Sequence, residues 1–268
     1  MGGYRADSTL IGAAAHARRW AARHGSFDKS IFYFRLHGQR TMLILKSLLG
    51  VCFQMAVFTV SLMLPAGTWY WPRALAFLGA YGAISIIAVL AMGRWSPASL
   101  EARMEKPMSS EQPTSDKIAT GGIMLSFLAW FVFIPIDRFH LFIIPAPPMA
   151  VTIIGGFAGT AGLIMMLVAI YQNSFAIPVV KDQADRGQVL VDSGLYSVIR
   201  HPLYTGVLLF MSGLALWLES YISVVTALAV LISLVARILI EERALVENLE
   251  GYSEYMKRVR YRLVPFLW

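Results

Sequence analysis

The chain has little charge and almost no cysteine. Charged residues make up 15% of its 268 positions, whereas soluble domains carry about 25%. Hydrophobic residues make up 57%, with a mean hydropathy of +0.61, so the sequence predicts an integral membrane protein. The single cysteine, Cys52, excludes an internal disulfide and any cysteine-ligated zinc or iron–sulfur site. The sequence also has no Gly-x-Gly-x-x-Gly string, which argues against a Rossmann site.

Positive charge is concentrated in an N-terminal arm, residues 1–41. The arm holds seven Lys and Arg residues against two acidic ones, Asp7 and Asp28. A basic arm beside a membrane span is typical of contact with anionic lipid head groups. We therefore expect anionic lipid there, and no nucleic-acid partner. Residues 9–25 are rich in Ala and Arg and are compatible with an amphipathic helix lying on the membrane.

Apolar runs predict an all-α, polytopic bundle of about six transmembrane helices. A helix needs about 20 apolar residues to cross a bilayer, and four runs meet this length within residues 42–171. A short fifth run and a full-length sixth run are separated only by Glu219 and Ser220, which predicts a tight helical hairpin. The runs are Ser47–Leu64, Ala74–Met92, Ile118–Ile136, Met149–Tyr171, Leu203–Leu218 and Tyr221–Ile240. Residues 93–117 between the second and third runs are expected to form an exposed connector.

The distribution of basic residues predicts the orientation. With the N-terminus inside, the cytoplasmic segments hold 19 of the 23 Lys and Arg residues, and the outer side keeps only Arg73 and Arg138. The positive-inside rule then places both termini and the C-terminal region in the cytoplasm. The membrane is the inner membrane if the cell is bacterial and the endoplasmic reticulum if it is eukaryotic.

A polar string lies between two apolar runs, in Gly194–Gly206. It contains Tyr196, Arg200, His201 and Tyr204, which are costly to bury beside hydrocarbon unless they bind something. Pro202 suits the first turn of a helix, so free backbone N–H groups at that helix start would join the basic side chains in an anion site. The alternative is that Arg200 and His201 are ordinary interface anchors.

A second polar cluster follows one hairpin later. Arg237 and Glu241 are four residues apart and share a helix face, and Glu242 is adjacent. Acidic groups at a helix C-terminus are disfavoured by the helix dipole, and a cationic ligand nearby would explain both carboxylates. The alternative is a surface pair of Arg237 with Glu241, with Glu242 solvated. Two facing clusters of opposite charge favour a zwitterionic ligand.

These motifs resemble the isoprenylcysteine carboxyl methyltransferase family, to which the phospholipid N-methyltransferases are related. The resemblance covers residues 172–268, which we treat as a methyltransferase-like catalytic region. It rests on five ordered pieces: Gln188-Val189-Leu190-Val191, Gly194-x-Tyr196, Arg200-His201-Pro202-x-Tyr204-x-Gly206, Glu241-Glu242-x-x-Leu245 and Gly251-Tyr252-x-x-Tyr255.

The resemblance implies an enzyme that uses S-adenosylmethionine in a cytoplasm-facing pocket without a Rossmann domain. The residues implied at the cofactor are Gln188, Leu190, Val191, Tyr196, His201, Tyr204, Gly206, Glu241 and Glu242. It implies catalytic roles for Arg200, Arg237 and Glu241, with the arginines available to recognise a carboxylate. Animal members of the family have His where this chain has Gln188.

The acceptor implied by the resemblance is a lipophilic carboxylate that enters from the bilayer, such as a prenylcysteine. Methyl transfer from a sulfonium needs positioning and an ionised nucleophile, and no metal is needed. A lipid amine or thiol is an alternative acceptor. Two rival functions belong to different classes: an NADPH-dependent sterol-reductase-like enzyme and a non-enzymatic membrane protein. The oligomeric state is left open.

Overall fold

A computed structural model describes residues 29–104, 114–175 and 188–268, and only the backbone of residues 29–37. The chain divides into two units, Met1–Met42 and Leu43–Trp268. The contacts described below all lie within the second unit. The suggested amphipathic helix at residues 9–25, and most of the basic arm, lie outside the described residues.

The described ranges are largely helical and contain no strand. The helices, in chain order, are α1 (Lys29–Ala66), α2 (Pro72–Trp95), α3 (Pro97–Ala102), α4 (Thr114–Ile136) with a π-helical extension (Asp137–Leu141), α5 (Met149–Gln172), a 3₁₀ turn (Gly194–Ser197), α6 (Pro202–Trp217), α7 (Tyr221–Asn248) and α8 (Tyr252–Arg258).

The predicted fold class is confirmed. Every predicted apolar run lies on a helix, and five of those helices are long and apolar enough to cross a membrane. The sixth, α6, has 16 residues and is the short run that the sequence indicates. The predicted hairpin is also present, because α6 ends at Trp217 and α7 begins at Tyr221.

Proline and serine set several helix starts. Proline occupies the first turn of α2, α3 and α6, where its missing N–H would have no partner in any case. Ser220 caps α7, since its side chain accepts a hydrogen bond from the Ser223 amide at 3.3 Å. The predicted start of α6 at Pro202 is therefore confirmed.

The described part of the connector at residues 93–117 is helical on both sides of a gap at residues 105–113. Helix α2 continues to Trp95, and α3 follows after a single residue. Leu100 and Ala102 of α3 are buried, and Leu100 packs with Val89 and Met92 of α2. The expectation of an exposed connector is wrong for these residues, because α3 has an apolar face that packs on α2.

Aromatic side chains form much of the core between the helices. Phe58 of α1 stacks on Phe131 of α4, with 4.5 Å between ring centroids. Phe77 and Tyr81 of α2 lie between these rings and Phe210 of α6. Aromatic pairs at such separations add to the burial of their apolar area.

Helices α5 and α6 pack with their backbones in contact. Glycines line both sides, at positions 155, 159 and 162 of α5 and 206 and 213 of α6. A Cβ atom on Gly213 would lie 2.6 Å from the carbonyl oxygen of Gly155 and would also meet the backbone of Gly159. Only glycine permits this approach, so the glycines of α5 serve helix packing.

The hairpin end of the bundle is closed by its own ion cluster. Glu219 binds Arg73 of α2 at 3.2 Å and Arg138 of the π-helical extension at 2.9 Å. Asp137, which is buried, accepts a hydrogen bond from the Ser220 hydroxyl at 2.6 Å. These contacts fix the hairpin, and through it the distance between α6 and α7 at their other ends.

Candidate active site

The two predicted polar clusters meet where α6 begins and α7 nears its end. Glu242 accepts a hydrogen bond from Arg200 Nε at 2.7 Å and from Arg262 Nε at 2.9 Å. The Nε2 atom of His201 lies 3.1 Å from the same carboxylate. We call Arg200, His201, Glu242 and Arg262 the tail-anchoring cluster. All but Arg262 are nearly inaccessible to solvent.

The tail-anchoring cluster holds the C-terminal tail against α6. Arg200 Nη1 donates to the carbonyl oxygens of Val259 at 3.0 Å and Arg260 at 3.2 Å. The backbone amides of Arg200 and His201 donate to carbonyls of Tyr261 and Arg262, each at 2.9 Å. The tail therefore lies across the start of α6.

A second group of side chains lies beside the tail-anchoring cluster. The Tyr204 hydroxyl donates to Glu241 at 2.7 Å and accepts from Arg237 Nε at 2.8 Å. Arg237 Nη1 also donates to Asp116 at 2.9 Å and to Thr120 at 2.6 Å. We call Tyr204, Arg237, Glu241, Asp116 and Thr120 the tyrosine cluster. It joins three helices, α4, α6 and α7.

The two glutamates on α7 have different surroundings. Both oxygens of Glu242 are engaged by cationic side chains. Glu241, in contrast, accepts a hydrogen bond from the neutral hydroxyl of Tyr204, and it forms no ion pair within 4 Å among the described residues. Glu241 is thus the better of the two candidates for a cationic ligand, and Glu242 holds the tail. Arg200 also holds the tail. Of the two arginines predicted to be catalytic, Arg237 is therefore the one that lies nearer to Glu241.

Tyrosines on the 3₁₀ turn and α8 close another side of the site. The Tyr255 hydroxyl donates to the Tyr196 carbonyl at 2.7 Å. Burial raises the pKa of Tyr196 and of Tyr252, and raises the pKa of Tyr255 to about 12. These phenols are therefore protonated donors at neutral pH, and none is placed to act as a base.

The remaining predicted cofactor residues lie in two places. Leu190 packs with Tyr252, Tyr255 and Val259, which brings the segment 188–191 against α8. Gln188 and Val191 are partly buried in the same segment. Gly206 lies against α5 instead, where a Cβ would come within 2.9 Å of the Gly162 carbonyl oxygen. Gly206 thus allows the backbone of α5 to come close to α6.

Sequence reasoning missed several residues of the site. Asp116 and Thr120 are buried at the start of α4 and bind Arg237. Their spacing of four residues, ahead of an apolar run, is the signal that a polar face points inward. Arg103, in the turn after α3, places buried guanidinium nitrogens near the tyrosine cluster. Nothing in its immediate sequence distinguishes it from an ordinary loop arginine.

Comparison with known families gives a match in this part of the chain. Residues 150–251 match the model of the phospholipid methyltransferase family. The matched stretch covers less than half of the chain. It runs from α5 to the start of α8 and includes Arg200, Tyr204 and Glu241. The predicted resemblance to this group of membrane methyltransferases is confirmed.

One solved structure covers nearly the whole chain. It is the eukaryotic intramembrane Ras methyltransferase, an isoprenylcysteine carboxyl methyltransferase, solved without a monobody. The two are 16% identical, the alignment covers 97% of this chain and 94% of that one, and the TM-score is 0.48. A search of curated proteins gave no match.

Proposed function

We propose that the chain is an integral membrane methyltransferase that uses S-adenosylmethionine as its methyl donor and a lipophilic molecule as its acceptor. The observation that carries the proposal is the tyrosine cluster. A carboxylate, Glu241, is oriented by Tyr204 beside Arg237, on helices within the stretch that matches the phospholipid methyltransferase family.

The charges at this site fit the proposed donor. S-adenosylmethionine carries a sulfonium, an ammonium and a carboxylate, so it needs both an anionic and a cationic partner. Glu241 offers the first, and the buried guanidinium of Arg103 offers the second. Leu190 and the tyrosines around it supply an apolar wall suited to an adenine ring. The bound donor would supply an activated methyl group.

The chain's own residues act by positioning the methyl donor and the acceptor. An in-line displacement requires the acceptor atom and the methyl carbon to be held in contact and in line, and this alone accounts for much of the rate enhancement available. The tail covers the start of α6 through contacts with Arg200, His201 and Thr205. A covered site excludes water, which strengthens each charged contact inside it.

The bundle offers space for an apolar acceptor. A cavity of about 350 Å³ lies between α2, α5 and α6. Its lining is mostly apolar and includes Phe77, Tyr81, Phe210 and Trp217. Phe210 is six residues along α6 from Tyr204, which corresponds to about 9 Å. We propose that the acceptor's hydrocarbon part occupies this region, and that the acceptor is a prenylcysteine carboxylate or a similar lipophilic acid.

A reductase that binds NADPH is the second candidate, since the sequence leaves that function open. The carboxylate of Glu241 opposes it, because it would repel a 2′-phosphate, although the nearby guanidinium groups of Arg237 and Arg103 reduce that repulsion. Glu242 adds little to this argument, since its charge is balanced by Arg200 and Arg262. We place the site on the cytoplasmic face, where both cofactors are available.

Cofactor binding tests the proposal directly. S-adenosylhomocysteine should raise the thermal midpoint of the detergent-solubilised protein, because a ligand that binds only the folded state stabilises it. NADPH at the same concentration should leave the midpoint unchanged. Stabilisation by NADPH alone would overturn the methyltransferase assignment.

The acceptor class is tested by a pH–rate profile with a tritiated methyl donor and native membrane extract. A carboxylate with a pKa near 4 is ionised throughout the range from about pH 6 to 8, so its rate should be flat there. The labelled product should also be a base-labile ester. A rate that rises with pH, together with a base-stable product, would indicate a lipid amine or thiol acceptor.

A further inference from the structure

Arg103 is held in place by the short helix before it. Its backbone amide donates to the Leu100 carbonyl at 3.2 Å, which closes the last turn of α3. Ser99, Leu100 and Ala102 are each at most 3% exposed. The turn that carries Arg103 is therefore anchored in the protein and not in a solvated loop.

The guanidinium of Arg103 has two buried nitrogens that lack a partner. Among the described residues, neither Nε nor Nη2 makes a hydrogen bond, although both are shielded from solvent. Arginine keeps its charge in proteins, and a buried charge without a partner is strongly unfavourable. A guanidinium in this state needs an anion to complete its environment.

The two unpartnered atoms form one edge of the guanidinium. The N–H bonds of Nε and Nη2 point the same way, and this fork matches the two oxygens of a carboxylate. A lone carbonyl or hydroxyl would satisfy only one of the two donors. The missing partner is therefore expected to be a planar, bidentate anion.

Arg103 lies within electrostatic reach of the tyrosine cluster. Burial and the like charge of Arg237 lower the pKa of its guanidinium, and interactions with Tyr196, Tyr204 and Glu241 offset only part of that lowering. Glu241 already accepts from Tyr204, and Asp116 is bound to Arg237. Neither carboxylate forms a hydrogen bond with Nε or Nη2 of Arg103, so that edge of the guanidinium remains for a ligand.

We propose that Arg103 binds the carboxylate of a ligand at this site, opposite Glu241, which takes the ligand's cationic group. This assignment rests on the proposed function. The carboxylate belongs either to the amino-acid part of the methyl donor or to the acceptor. The two sources share the same chemistry at Arg103, and separate measurements distinguish them.

The test uses the purified full-length chain with Arg103→Met, Arg103→Lys and the control Arg94→Met. Arg94 is an exposed arginine in the last turn of α2. Calorimetry would measure binding of S-adenosylhomocysteine and of its decarboxylated analogue, and a methylation assay would use a prenylated cysteine with a free carboxylate. The thermal midpoint without ligand would report on folding.

If the donor supplies the carboxylate, Arg103→Met weakens S-adenosylhomocysteine binding by about tenfold to a hundredfold. The decarboxylated analogue then binds equally weakly to wild type and variant. If the acceptor supplies it, donor binding is unchanged and the KM for the prenylated cysteine rises by about tenfold or more. Arg103→Lys should recover only part of either loss, because an ammonium does not reproduce the fork.

A purely structural arginine would behave differently. Arg103→Met should leave the midpoint without ligand unchanged or higher, since it removes an unpaired buried charge. A lower midpoint without ligand, or donor affinity and acceptor KM both within twofold of the Arg94→Met control, would overturn the assignment. Failure of the wild-type chain to bind S-adenosylhomocysteine would instead overturn the proposed function, and the assignment with it.

Discussion

Glu241 and Glu242 are adjacent in sequence, but consecutive residues on a helix are turned by about 100°, so their carboxylates point to different neighbours. Glu242 is turned toward Arg200 and Arg262 and is 4% exposed. Glu241 is turned toward Tyr204. The same substitution at these two positions therefore separates a structural role from a ligand-binding role.

At Glu241, replacement by Gln should preserve the hydrogen bond from Tyr204, because the amide oxygen can accept it. The charge is lost, and with it a charge-assisted contact to the cationic end of the donor. We expect S-adenosylhomocysteine binding to weaken by about tenfold to a hundredfold, measured by calorimetry, with little change in the thermal midpoint of the ligand-free protein.

At Glu242, the same change should act on stability. Gln leaves the buried guanidinium of Arg200 without its counter-charge, and breaking a buried ion pair costs about 3 kcal/mol or more. Titration with a denaturing detergent measures this loss as a change in the free energy of unfolding. If Glu242→Gln is as stable as wild type but loses donor binding, the roles that we assign to the two glutamates are reversed.

At the scale of the helices, the contact between α5 and α6 determines where Tyr204 and Arg200 lie. The glycines of the two helices face each other, and Gly213 meets the α5 backbone directly. Gly213→Ala should separate the helices and destabilise the protein by about 1–3 kcal/mol. Gly79→Ala is the matched control, because a Cβ there meets nothing within 4 Å and alanine favours a helix.

Both glycine variants are compared by the free energy of unfolding in detergent. The Gly79 variant should be as stable as wild type or slightly more so. Equal stability of the two variants would show that α5 and α6 can adjust their separation, and that the glycines reflect something other than close packing.

The six long helices were predictable because each contains a long apolar run, most of them bounded by Pro, Ser or a charged residue. The short helix α3 was not, since it lies in a segment expected to be an exposed connector. The polar contacts among them were only partly predictable. Arg200 and Glu242 were singled out as candidates, yet their pairing depends on how α6 crosses α7. Asp116 and Arg103 come from segments far from the motif in sequence, and only the packing of α3 and α4 brings them to it.

At the scale of the whole molecule, the short helix α6 has a consequence for the site. Its 16 residues span about 24 Å, less than the roughly 30 Å of a bilayer's hydrocarbon core. Helix α7 continues six residues beyond Glu242, to Asn248, which adds about 9 Å. The start of α6 therefore lies short of the end of α7. Under the proposed function we expect the acceptor to reach Tyr204 from within the bilayer.

Helix number and charge predict the orientation of the molecule in the membrane. Three apolar helices, α5, α6 and α7, separate the loop at Ala146 from α8. If α6 crosses the membrane, this loop and α8 lie on opposite sides of it. Of the basic residues at the hairpin end, Arg73 and Arg138 are both neutralised by Glu219. The unbalanced positive charge lies at the end that carries the tail, which the positive-inside rule assigns to the cytoplasm.

Cysteine labelling in sealed vesicles tests this orientation. The native thiol, Cys52, is exposed on a membrane-spanning helix and would first be replaced by Ala. Ser253→Cys and Ala146→Cys, both at exposed positions, are then treated with a membrane-impermeant maleimide. We expect Ser253→Cys to be labelled only from the cytoplasmic side and Ala146→Cys only from the other. Labelling of both cysteines from one side would mean that α6 does not cross the membrane. Labelling of Ser253→Cys only from the outer side would place the site on the face opposite the cytoplasmic methyl donor.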